Sequence, residues 1–160
     1  MSKINNLDID IAVQAEQWTN TVKNIESLIE ASVHETLSHI KFKTEQAELS
    51  VVLADNDFVQ ELNKVYRSKD KPTNVLSFPQ DEDVLLGDVI LAYETVSSEA
   101  GEQKKPFEDH FVHLVIHGVL HLLGYDHETD EGAKIMERAE IETLKKLGIK
   151  NPYEIQDFVA

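Results

Sequence analysis

The segment His117-Gly-Val-Leu-His121-Leu-Leu-Gly-Tyr-Asp-His127 constrains the fold of this 160-residue chain more than any other feature. His117 and His121 stand four positions apart, so on a helix their imidazoles project from one face, about one turn apart. Gly124 follows two leucines and suits the left-handed residue that ends a helix, which would turn the chain back and supply His127. The spacing therefore predicts a helix, a sharp turn and a metal site made of three histidines.

Three protein ligands leave one tetrahedral position for water, which is the arrangement of catalytic rather than structural zinc. We therefore expect one zinc ion per chain, although imidazole also suits copper, iron and nickel. The chain has no cysteine, so disulfides are excluded and the site must be built from nitrogen and oxygen donors. The alternative, in which the histidines merely line the polar side of an amphipathic helix, explains single residues but not the whole spacing.

The length and composition predict one domain over residues 1–160, because there is no Pro/Gly/Ser-rich linker and no internal repeat. The N-terminal segment lacks the apolar region of a secretion signal. The longest apolar stretch, residues 111–124, is too short to span a bilayer and carries histidines. We expect a cytoplasmic protein with no membrane partner.

The net charge of −15 opposes binding of nucleic acid over the whole surface, because phosphates would be repelled at long range. Residues 64–71 differ from the rest of the chain, since they hold four cations and one anion. Such a run is usually a solvated face, but it is also where a polyanion would dock.

The remaining pattern predicts an α+β fold, in which a mixed, mostly four-stranded sheet packs with about five helices. Strands are predicted at 4–13, 47–54, 75–78 and 87–92, with an acidic loop at 81–83. Helices are predicted at 14–37, at 93–103 and at 130–147, the last ended by Gly148. A further helix capped by Asp55 delivers Arg67, another begins at Pro106 and carries the histidines, and a short tail helix begins at Pro152.

Two further histidines, His110 and His113, fall on the same helical stripe as the predicted ligands. We expect them to face solvent or to form local hydrogen bonds, and His113 is placed to support the site from one turn away. Asp126 is a candidate acceptor that would fix an imidazole. Tyr125 is expected in the core, with stacking on a base as the alternative.

The pattern His-x-x-x-His-x-x-Gly-x-x-His resembles the zinc helix of the metzincin proteases, so a zincin-like active-site helix is expected. Those proteases carry a glutamate general base directly after the first histidine. Here that position is Gly118, so the carboxylate that would take a proton from the bound water is missing. A peptidase is therefore disfavoured.

The same histidine segment, together with the blocks Tyr66–Pro79 and Leu86–Ile90, resembles the bacterial YbeY family over nearly the whole chain. The resemblance implies a single-strand-specific, metal-dependent endoribonuclease of 16S rRNA 3′-end maturation and of quality control of the small ribosomal subunit. It implies zinc bound by His117, His121 and His127, and Arg67 as the residue required for RNA cleavage. The implied partners are 16S rRNA, proteins of the small subunit and an assembly GTPase.

The chemistry of single residues agrees with this resemblance. The guanidinium of Arg67 is suited to a bidentate grip on the scissile phosphate, the alternative being a surface ion pair. Asp88, at the start of a strand after Gly87, is a candidate for orienting water or RNA, or equally for capping a turn.

Two other functions remain open at the level of the sequence. A zinc metalloprotease or amidase would use the same histidines with a different base. A non-catalytic ribosome-assembly factor would use the metal only to stabilise its fold.

Overall fold

The computed structural model describes residues 6–42, 46–82 and 84–154. Its elements confirm the α+β class and the four-stranded mixed sheet, with six helices in the described part of the chain. In chain order they are β1 (Asn6–Val13), α1 (Gln17–Thr21), α2 (Ile25–His39), β2 (Gln46–Ala54), α3 (Asn56–Arg67), β3 (Val75–Glu82), β4 (Leu85–Ala92), α4 (Tyr93–Glu102), α5 (Phe107–Leu122) and α6 (Asp130–Lys146).

The sheet has the strand order β1-β2-β4-β3. Strands β1, β2 and β4 are mutually parallel, whereas β3 runs antiparallel to β4. A parallel pair needs a long crossover, and α1 with α2 supplies the one between β1 and β2. β3 and β4 instead form a hairpin, which leaves β3 as an edge strand of the described sheet.

Alternate side chains of β4 point to opposite faces of the sheet, and their neighbours show which helix covers each face. Val89 and Leu91 join the main core, to which α5 contributes most of its apolar side chains. Ile90 and Ala92 join a smaller cluster with Val59 of α3. The helix that carries the histidines and the helix that carries Arg67 therefore pack on opposite faces.

The predicted helix at 14–37 is wrong, because the structure has two helices there. The N–H groups of Gln14 and Ala15 donate to the carbonyl of Leu53, which keeps these residues bonded to the end of β2 rather than in a helix. Val22 is extended between α1 and α2. Both helices face one core, so their apolar residues, among them the buried Trp18, kept a helical spacing across the break.

The region around residues 78–85 also differs from the prediction. β3 continues to Glu82 and β4 begins at Leu85. Residues 81 and 82 of the predicted acidic loop are therefore strand, and residue 83 lies outside the described residues. Pro79 is tolerated inside β3 because this is an edge strand, and the pairing register shifts between Pro79 and Glu82.

The ends of several elements agree with the sequence. Asp55 caps α3 by accepting a hydrogen bond of 2.9 Å from the N–H of Phe58, and Gly148, with φ +79°, follows α6. Pro106 stands one residue before α5. The first residues of the predicted strand at 4–13 lie outside the described residues. The tail helix predicted to begin at Pro152 is wrong at its start, because residues 152 and 153 form a turn, and its continuation beyond residue 154 lies outside the described residues. Within those residues, no helix combines the length and apolar character that a bilayer span requires.

Candidate active site

The C-terminus of α5 is shaped by Gly124, which has φ +96° as the sequence predicted. The N–H of Gly124 donates to the carbonyl of His121, and the N–H of Tyr125 donates to that of Leu120, both at 3.1 Å. These two bonds form a Schellman motif, which requires a left-handed residue at the position of Gly124. The motif ends the helix and turns the chain back towards it, so that His127 returns to the exit of α5.

The three predicted ligands meet at this turn. One nitrogen from each of His117, His121 and His127 lies within 4.8 Å of the other two, and this cluster can hold a metal ion. His117 and His121 are half-buried, whereas His127 is exposed. The cluster is thus anchored on its helical side and open to solvent on the other, which a ligand needs in order to reach a bound ion.

The electrostatic surroundings keep His121 in the form that binds metal. Burial lowers the pKa of His121, and positive charge on His117 and His127 lowers it further. A neutral imidazole has a lone pair to donate, whereas a protonated one has none. The donor set of three imidazoles therefore fits zinc in its chemistry as well as in its spacing.

Glu140 connects α6 to the histidine cluster, and the sequence analysis missed it. Its side chain is buried, with an exposed fraction of 0% for the residue. Its Oε2 lies 2.6 Å from Nδ1 of His117, and its Oε1 lies 2.6 Å from Nε2 of His113. The Tyr153 hydroxyl donates to the same Oε1. The pair with Glu140 occupies Nδ1 of His117 and leaves Nε2 for a metal.

The ionisation of Glu140 follows from these contacts. Burial alone would raise its pKa, but hydrogen bonds from His113 and His117, with the charge on both, lower it to about 2. A signal for this residue was present in the sequence. Position 140 falls on the buried stripe of α6, which consists of Met136, Ala139, Glu140, Thr143 and Leu144. An acid among these positions indicates a buried partner.

The two other histidines of α5 are buried and do not face solvent, and each forms a hydrogen bond with a carboxylate of another helix, not a local one. His110 Nε2 lies 2.8 Å from Oε1 of Glu99. His113 supports the site through Glu140, as its position one turn away suggested.

The candidates in the turn after α5 have other roles. Asp126 accepts a hydrogen bond of 3.0 Å from the N–H of Glu128, so its carboxylate stabilises the loop, and Glu140 takes the imidazole-fixing role predicted for it. Tyr125 is partly buried against the main core, as expected.

Gly118 faces the sheet rather than the metal site. A Cβ placed there would lie 2.6 Å from Cγ1 of Val89 and 3.3 Å from Oγ of Ser77. The Ser77 hydroxyl donates to the carbonyl of Gly118 at 2.9 Å, which fixes β3 to α5 at this point. The glycine thus permits close helix–sheet packing, and a glutamate at this position would enter the sheet.

Arg67 and Asp88 lie apart from the histidine cluster. Arg67 is exposed at the end of α3 and forms no ion pair with any described residue. Asp88 of β4 is half-buried and pairs in register with Phe78. Because it alternates with Val89, its side chain points to the face of the sheet that α3 covers. The structure thus brings the three histidines together, whereas Asp88 points to the opposite face of the sheet and Arg67 ends the helix that packs on that face.

A family of known proteins accounts for this arrangement. The family model described as Endoribonuclease YbeY matches residues 10–148. The chain belongs to the YbeY endoribonuclease family. This membership confirms the resemblance that the sequence blocks indicated.

Individual YbeY relatives extend the match over most of the chain. An endoribonuclease YbeY from Methylocella silvestris is 45% identical over 151 residues, which cover 91% of this chain and 85% of the relative. One from Paramagnetospirillum magneticum is 46% identical over 157 residues, covering 92% and 96%. The solution structure of TM1509 from Thermotoga maritima superposes with a TM-score of 0.59 at 28% identity, covering 95% of this chain and 99% of that one. The whole architecture, and not only the histidine segment, is therefore shared.

Proposed function

We propose that this YbeY-family protein is a zinc-dependent endoribonuclease that cleaves single-stranded RNA, with one zinc ion per chain held by His117, His121 and His127. The observation that carries the proposal is the three-histidine cluster, fixed by Glu140, in a chain of an endoribonuclease family. When bound, zinc supplies a Lewis acid that polarises a phosphoryl oxygen and lowers the pKa of water.

The residues around the cluster orient it and limit its chemistry. Glu140 holds the ring of His117 in one orientation. His127, on the exposed side, leaves the approach from solvent open. Val89 occupies the space in which a carboxylate at position 118 would stand, so the chain has no base where metzincin proteases have theirs. This steric exclusion favours a nuclease over a metalloprotease or amidase.

Arg67 is proposed to bind the scissile phosphate. Its guanidinium is exposed and forms no ion pair with any residue in the described ranges, so it is available to an anion. A planar guanidinium can bind two phosphate oxygens and offset the charge that develops during cleavage. The helices that carry Arg67 and the histidines pack on opposite faces of the sheet. The edge strand β3 contacts both α5 and, through Phe78, the end of α3. An RNA strand that crosses this edge would meet both groups.

Asp88, on the face of α3, is proposed to orient RNA or water there.

In the cell we propose that the protein acts in the cytoplasm as a single domain, in 16S rRNA 3′-end maturation and small-subunit quality control. Proteins of the small subunit and an assembly GTPase are the proposed partners. The net charge of −15 supports this setting, because free RNA would be repelled by most of the surface. Docking on a ribosomal particle would raise the effective concentration of the RNA and remove the need for high intrinsic affinity.

The proposal is tested by single-turnover cleavage of a labelled single-stranded RNA, with the zinc content measured in the same samples. Arg67→Ala should keep the fold and the zinc but lose about a hundredfold in rate, since one transition-state charge contact is worth ~3 kcal/mol. Arg67→Lys should recover only part of the rate, because a point charge lacks the planar fork.

Zinc-loaded wild-type protein that leaves the RNA intact would contradict the nuclease assignment. Wild-type cleavage by zinc-loaded Arg67→Ala would remove only Arg67 from the mechanism. Efficient cleavage of unstructured peptides by the wild type would favour the protease alternative instead.

A further inference from the structure

Tyr66 is an aromatic side chain that is largely exposed to solvent. With an exposed fraction of 66%, it exceeds every other large hydrophobic side chain in the described part of the chain. Its ring meets that of Phe78 edge to face, with centroids 5.5 Å apart and an interplanar angle of 68°. In an edge-to-face pair, at most one face of either ring is covered by the other. Tyr66 is therefore supported by Phe78 while at least one face of its ring remains free of that contact.

The loop that follows Tyr66 is fixed by buried and local hydrogen bonds. Ser68 adopts a left-handed conformation with φ +57°. The buried Asn63 accepts a hydrogen bond from the N–H of Lys69 through its carbonyl at 3.2 Å. Its side-chain amide donates to the carbonyl of Lys71 at 2.9 Å. The loop therefore presents its lysines from a backbone held at both ends.

Asp70, the one acidic residue in this loop, is turned towards α3. The Gln60 amide donates to Oδ1 of Asp70 at 3.0 Å. The four cations of the region, which we call the basic strip, are Lys64, Arg67, Lys69 and Lys71. All four are exposed, and none forms an ion pair with a residue that the structure describes. In a chain of net charge −15, four such cations beside one open aromatic ring favour a polyanion over an apolar protein surface.

We propose that Tyr66 is a stacking platform for an unpaired nucleobase, with the neighbouring phosphates of the strand lying against the basic strip. The inference rests on the proposed function for its ligand, single-stranded RNA, and adds a residue that determines specificity. Every base has a π-face, so stacking on tyrosine tolerates any sequence. A base inside a duplex has both faces covered by its neighbours, so the platform selects unpaired RNA.

Binding of a cleavage-resistant oligoribonucleotide of about ten nucleotides, with phosphorothioate linkages and 2′-O-methyl groups, tests the proposal on the zinc-loaded full-length protein. Tyr66→Ala should weaken binding by about 10- to 100-fold, the range expected for loss of one stacked base. Tyr66→Phe should bind like the wild type, because the ring remains. Val65→Ala is the matched control, since Val65 is the adjacent residue of α3 and is 60% exposed. It should leave the affinity unchanged.

Changes in the RNA test for stacking specifically. An oligonucleotide with an abasic site at the contacted position should bind the wild type about as weakly as Tyr66→Ala binds the intact strand. The two changes together should cost no more than one alone. A 2-aminopurine at that position should be quenched by the wild type and by Tyr66→Phe, but not by Tyr66→Ala.

The inference is overturned by wild-type affinity of Tyr66→Ala or by additive losses with the abasic strand. An equal loss in Val65→Ala would also overturn it, because the effect would then not be specific to the aromatic ring. Its failure is separable from that of the proposed function. RNA binding that depends on Tyr66, without cleavage, would contradict the nuclease assignment alone, whereas cleavage with unchanged binding by Tyr66→Ala would contradict the platform alone.

Discussion

Glu140 is the residue through which α6 controls the histidine cluster. Its carboxylate accepts hydrogen bonds from His113 and His117 on α5 and from the Tyr153 hydroxyl, so three partners satisfy one buried charge. A buried carboxylate without such partners would be strongly destabilising. The same contacts that make its burial possible also fix the ring of His117, so the proposal implies that folding and metal affinity are coupled at this residue.

Glu140→Gln should weaken zinc binding by about 10- to 100-fold, the usual effect of losing an acceptor that orients a ligand. Glutamine has nearly the same volume, but its amide donates where the carboxylate accepts from one of the two histidines. The affinity is measured by competition with a chromogenic chelator, and circular dichroism reports the fold.

Glu142→Gln is the control on the same helix, since Glu142 forms only a partly exposed pair with His39. It should bind zinc like the wild type. Unchanged zinc affinity in a folded Glu140→Gln protein would show that Glu140 does not orient His117.

At the scale of elements, the contact between α5 and the sheet depends on the absence of a side chain at position 118. The hydrogen bond from Ser77 to the carbonyl of Gly118 and the close approach of Val89 place the helix directly on β3 and β4. Val89 is buried and β-branched, so it has little freedom to move away. The position of the histidines relative to the edge strand follows from this packing.

Gly118→Ala should therefore destabilise the protein by about 1–3 kcal/mol through overpacking, reduced by the ~1 kcal/mol that alanine gains over glycine in a helix. Gly101→Ala in α4 is the matched control, because a Cβ there would have no neighbour within 4 Å. It should stabilise the protein or leave it unchanged. Urea unfolding of both variants measures the difference, and equal stabilities would refute the packing argument.

The features of the site and its helices that the sequence predicted correctly depend on residues close together in the chain. The spacing of His117 and His121, the left-handed Gly124 and the cap at Asp55 each depend on residues a few positions apart, where helix geometry alone decides the outcome. Glu140 lies 23 positions from His117, and only the packing of α6 on α5 brings them together.

Tertiary packing also explains the break between α1 and α2 and the face on which Asp88 lies. Helical spacing of apolar residues reports a shared core, not an unbroken helix. Likewise, the sequence alone predicted a strand around Asp88 but not which helix covers which of its faces.

For the whole molecule, charge and topology support the RNA path that we propose. Most of the surface repels a polyanion, while the basic strip and Tyr66 lie at the end of α3, beside the edge strand β3. His117 of the histidine cluster is adjacent to Gly118, where Ser77 of β3 bonds to α5. In the proposed function, a single RNA strand therefore crosses the edge of the sheet from an electropositive entry to the histidine cluster.

The decisive experiment for a zinc-dependent nuclease measures zinc content and RNA cleavage in the same samples. It compares the wild type with His117→Ala, His121→Ala and His127→Ala. We expect one zinc per wild-type chain, and in each variant a loss of both zinc and cleavage at physiological metal concentration. Stoichiometric zinc in all three variants, or full cleavage by a variant that has lost its zinc, would contradict this expectation.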